Sequence, residues 1–135
     1  MGRWRRNSVF LVLVALIIVV AVSMYRGRHA DAVRFAQNRA HYEALVAQSP
    51  AGQPRLLRWT WSETGAAIGA QILKDLVYDE SGEIGRPALP TAVWRARADG
   101  RLRAIAAAMD ARREDDRIEI QPMGGHFYLV TETIQ

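Results

Sequence analysis

The sequence predicts an α+β protein: one membrane helix continuing into a helical stalk, then a small antiparallel sheet with one or two helices. Three observations predict it. Val9 to Val22 form an unbroken run of fourteen apolar residues. Residues 26–48 place apolar side chains at three- and four-residue steps. Beyond the breaker Ser49-Pro50-Ala51-Gly52-Gln53-Pro54, short alternating runs surround one amphipathic stretch.

The membrane segment is read over residues 8–25, behind a cytoplasmic tail of residues 1–7. Eighteen residues of helix span about 27 Å, near the short end for a hydrocarbon core of about 30 Å. Val9, Phe10, Leu11, Leu13, Leu16, Ile17, Ile18 and Val22 supply the anchor, and no polar face interrupts them. Trp4 and Tyr25 fall where amphipathic rings favour the interface. Arg3, Arg5 and Arg6 are the topology signal and argue for a cytoplasmic N-terminus. Arg26, Arg28, Arg34 and Arg39 come after the run and nearly balance that count, but a compact basic cluster directly ahead of the first apolar run favours export of the downstream chain. We read the segment as an uncleaved signal anchor. The competing reading is a signal peptide cleaved behind Ser23 at Ala21-Val22-Ser23, although no polar, turn-forming region precedes that site.

Residues 26–48 read as a juxtamembrane helix in which only Gly27 weakens the pattern. Its apolar side is expected to pack on the following domain. Residues 49–54 are the linker, and 55–135 the extracytoplasmic α+β domain, small enough that its stability is marginal.

Within that domain, Leu57, Trp59 and Trp61 alternate onto one face of a strand over residues 56–61. Gly65 to Ala70 is a small-residue stretch of unassigned structure. Residues 74–79 form a second strand, followed by a turn at Glu80-Ser81-Gly82. Thr91 can cap a short helix across Val93 and Trp94. Leu102, Ile105, Ala106 and Met109 mark an amphipathic helix ending near Arg112-Arg113. Residues 118–123 and 126–131 form a hairpin with Gly124-Gly125 as its turn.

Charge and composition narrow the function. Lys and Arg number 18 against 14 Asp and Glu, giving a net charge of +4 that on its face suggests nucleic acid. Three of those basic residues lie ahead of the membrane run, which leaves 15 basic against 14 acidic residues from Arg26 onward. The basicity is mostly an insertion signal, and nucleic acid is not an expected partner. The local stretch Arg95, Arg97, Arg101 and Arg103 reads as a solvated helix face, with anionic headgroups as the sharper alternative. With no cysteine, disulfides, thiolate metal sites and thiol catalysis are excluded.

No catalytic signature is present: no phosphate loop, no nucleophile elbow, no paired-histidine zinc motif. The weaker catalytic candidate is His126, which comes directly after a glycine turn and could act as a base opposite a carboxylate. The weaker metal candidates are Asp79, Glu80 and Glu83, whose turn lacks the ligand spacing of a calcium loop. Trp59, Trp61 and Trp94 are either core or an aromatic interaction surface. No cofactor is implied.

Leu76-Val77-Tyr78-Asp79-Glu80-Ser81-Gly82-Glu83-Ile84 and Gly124-Gly125-His126-Phe127-Tyr128-Leu129-Val130 resemble segments of short, uncharacterised exported or membrane-anchored proteobacterial proteins. Those proteins also begin with a signal-like apolar segment. The resemblance covers residues 74 to 130, apart from the alanine-rich helix at 101–113. It implies export and a bacterial origin, and it carries no function, cofactor or catalytic residue.

The expected protein is therefore single-pass in the inner membrane, with a periplasmic domain that is non-catalytic and serves an envelope assembly. Its partners are the lipid bilayer and either an envelope protein or a second copy of the chain. The alternatives are a secreted domain cleaved behind Ser23, or a small envelope hydrolase or metal-dependent enzyme using His126 with the turn Asp79 to Glu83.

Overall fold

An apolar run without glycine or proline, continued by alanine, glutamine and arginine, satisfies its backbone most readily as a helix. The computed structural model describes residues 2–65, 70–111 and 117–134, with residues 2–9 and Met24 described in backbone only. In it, α1 is one helix from Gly2 to Ala47, which runs through Gly27 without interruption. It stops where Ser49 precedes Pro50, because a residue before proline is pushed out of the helical region. Ser49 closes the end, its N–H donating to Val46 O at 3.1 Å.

The chain divides into two compact units, residues 1–42 and 43–135. In the first, the large apolar side chains between Phe10 and Val22 are 44% to 69% exposed, Val14 apart. The helix from Phe10 to Ala47 is long and apolar enough to cross a membrane, and a signal sequence would meet the same criterion. Further along, Tyr25 stacks on His29 one turn later, and Phe35 on Tyr42. The topology residues Arg3, Arg5 and Arg6, and the side chain of Val9, lie outside the described side chains.

The second unit holds a four-stranded antiparallel sheet. Its strands are β1 (Leu56–Gly65), β2 (Gln71–Asp79), β3 (Arg117–Gly124) and β4 (Phe127–Ile134), ordered β1-β2-β4-β3. β2 and β3 run parallel with β4 between them, so the chain leaving β2 must travel back along the sheet before β3 can start. Two helices make that journey, α2 (Ala92–Arg97) and α3 (Gly100–Ala111). They bury one sheet face. Trp94, Ala98, Leu102, Ile105 and Ala106 pack on Val77 and Val130, with Leu56, Ile118, Ile120 and Tyr128 around them.

The opposite face is also apolar. Leu76 pairs with Leu129 across the central strands, and the Phe127 ring meets those of Tyr78 and Trp59 at 5.0 and 6.4 Å. Burial on both faces explains why residues 75–79 of β2 are all buried, without alternation. The two edges are irregular. β1 carries a register shift between Thr60 and Ser62, and β3 contains Pro122, which cannot donate to a neighbouring strand.

The expected α+β class is observed, and Thr91 caps α2, its Oγ1 accepting from Trp94 N–H at 3.2 Å. Both expected strands extend further than read, β1 to Gly65 and β2 from Gln71. The hairpin turn sits one residue later than expected. Gly125 and His126 are its central residues, with φ of +60° and +68°, and Gly124 pairs with Phe127. Positive φ at both central positions is the mirror-image turn that matches strand twist, and histidine is among the few side chains that tolerate it. Residues 66–69 of the small-residue stretch, and the expected helix end at Arg112-Arg113, lie outside the described residues.

Candidate functional site

Asp79 ends β2 and is fully buried. Its Oδ1 accepts from the N–H of Ser81 at 3.0 Å and from the Ser81 hydroxyl at 2.6 Å. Its Oδ2 accepts from Ile84 N–H and from the indole Nε1–H of Trp94, both at 2.9 Å. One carboxyl group therefore shapes the turn after β2 and fixes the tryptophan at the centre of the helix layer. Glu83 closes the next loop by accepting from Thr91 N–H at 2.8 Å, and that bond holds its pKa below the usual value. The loop also passes close to the sheet at Gly85, where an added Cβ would collide with the Tyr128 ring.

Around this turn, the start of β1, the end of β2 and the β3–β4 turn converge on Glu80. Arg55 donates to it three times: backbone N–H at 2.8 Å, Nη2 at 2.7 Å and Nε at 3.3 Å. Arg55 also donates from Nη1 to Val46 O in the last turn of α1, and its guanidinium lies over the Tyr78 ring. His126 is exposed, its ring edge-on to Tyr78 at 6.2 Å. The side-chain and backbone bonds from Arg55, with a smaller attraction from His126, lower the Glu80 pKa from an ordinary 4.5 to about 2. Because the folded pKa is depressed, the pair contributes fully above pH 4.5, and its contribution is lost as pH falls towards 2. A carboxyl titration followed by NMR should place the Glu80 midpoint near pH 2, and Arg55→Gln should move it towards 4.5. A wild-type midpoint already near 4.5 would show that the pair does not form.

A second polar group ties the α2–α3 elbow to the sheet. Arg58 on β1 donates from Nη1 to Asp75 Oδ1 at 2.9 Å and from Nε to Asp99 Oδ2 at 2.8 Å. Arg101 on α3 donates from Nε to Asp75 Oδ2 at 3.1 Å. Its Nη2 lies 2.5 Å from Glu132 Oε2 on β4, a charge contact off the hydrogen-bonding angle. Asp99 is also the N-cap of α3, with Oδ1 accepting from Leu102 N–H at 2.8 Å. Burial opposes its charge, but the Leu102 N–H and the Arg58 guanidinium hold its pKa below normal. Beside this group lies a cavity of about 250 Å³, lined in part by Arg58, Thr60, Glu63, Asp75 and Arg101.

The structure separates several residues that the sequence grouped. Trp94 lies in the helix layer, whereas Trp59 meets the Phe127 ring at a tilt on the other sheet face. Trp94 and Trp61 are buried and Trp59 is half-buried, so the three do not form one surface. Asp79, Glu80 and Glu83 each accept from protein donors, and no group of three or more metal-ligating side chains occurs among the described residues. The basic stretch is largely tied inward. Arg95 donates to Pro90 O, Arg97 to Pro54 O, and Arg101 reaches the sheet. The Arg58–Asp75–Arg101–Glu132 group is not among the residues expected from the sequence. Chemically, these side chains bind the fold together, while the convergence at Glu80 leaves an exposed imidazole beside a fixed anion.

No family model, curated protein or solved structure matches the chain.

Proposed function

We propose that the chain is a single-pass, membrane-anchored, non-catalytic protein of the bacterial cell envelope. Its domain, residues 55–135, lies outside the cytoplasm as an interaction or accessory module for an envelope protein or a second copy of the chain. The observation that carries this reading is the stretch Phe10 to Val22, whose large apolar side chains, Val14 apart, are all exposed. Placed in water, so long an apolar surface would be a severe aggregation liability; in hydrocarbon it is the favoured state. The arginines at positions 3, 5 and 6 support an N-inside orientation. The segments resembling exported proteins agree with it.

Orientation is tested with two C-terminal fusions of the full chain, one to a reporter active only outside the cytoplasm and one to a reporter active only inside. Activity of the first alone is expected, and replacing Arg3, Arg5 and Arg6 by Glu should reduce it several-fold. Activity of the cytoplasmic reporter alone would reverse the proposed topology.

A further inference from the structure

We draw no further inference here: the strongest candidate, the apolar groove of about 340 Å³ along the outer edge of β3 between Leu89, Met109, Ile118 and Ile120, has nothing in the structure to show what covers it.

Discussion

Replacing Asp79 by Ala is expected to destabilise the full-length chain in detergent micelles by about 3–5 kcal/mol. The substitution removes the acceptor of four hydrogen bonds. The Ile84 N–H and the Trp94 indole N–H are both left in the buried layer without their partner. Each such donor costs about 1–3 kcal/mol, while the Ser81 groups, only part-buried, recover some solvation. Against a total stability of about 5–15 kcal/mol for an ordinary domain, the loss is a large fraction of the whole. Asp79→Asn keeps one acceptor and should lose about 1–3 kcal/mol. A double-mutant cycle of Asp79→Ala with Trp94→Phe should show coupling of at least about 0.5 kcal/mol, because each change removes one side of the same bond. Denaturation followed by circular dichroism reads all of these. A loss below about 0.5 kcal/mol for Asp79→Ala would mean that the turn does not depend on this side chain.

The second large effect belongs to Asp75. It is 3% exposed and accepts from both Arg58 and Arg101. Breaking a fully buried pair by removing one partner costs about 3–5 kcal/mol. Here the two arginine side chains remain 23% and 25% exposed, so water can reach them when Asp75 is gone. Asp75→Ala should therefore lose about 2–4 kcal/mol, below the fully buried case. Replacing Asp75, Arg101 and Glu132 together by Leu, Met and Val should lose less than Asp75→Ala alone, because the Arg101 and Glu132 charges leave with Asp75 and Arg58 keeps Asp99 as its partner. The opposite order would show that the ionic group is itself a net source of stability.

These two residues show what could be read in the sequence and what could not. The elements came from periodicity and punctuation: Ser49-Pro50 ended α1, Thr91 capped α2, and the alternating runs gave β1 and the final hairpin. Asp79 was visible only as part of an acidic turn. Nothing local distinguishes a solvated aspartate from one that holds an indole 15 positions away. Asp75 and Glu132 did carry a signal. Each lies two residues from a core valine, Val77 and Val130, on the strand positions that should be apolar. A charged residue at an inward position needs a buried counter-charge, but the chain order does not say which one. Arg58 and Arg101 are 17 and 26 residues from Asp75 and meet it only once the sheet and α3 are in place. His126 was not legible as a turn residue for a similar reason. Gly124-Gly125 offers the commoner turn chemistry, and the register that moves the turn to Gly125-His126 is set by β4 pairing with β2 and β3.

The aromatic residues illustrate the same limit. Alternation placed Leu57, Trp59 and Trp61 on one face of a strand; Leu57 and Trp59 pair with Tyr78 and Leu76, but the register shift between Thr60 and Ser62 breaks the alternation at Trp61, and the pattern could not say that this sheet is apolar on both faces. Trp94 lies in a different layer because its helix crosses the other face of the sheet. The three tryptophans therefore do not act as one group on this domain.

The anchor is the claim on which the functional reading depends, and the mass of the chain in the membrane fraction tests it most directly. After membranes are washed at alkaline pH to strip peripheral proteins, an anchored chain stays in the pellet with the apolar segment Val9 to Val22 still attached, and this is the expected result. Recovery in the soluble fraction of a chain beginning at Met24 would contradict it, and would make the folded domain a secreted protein instead.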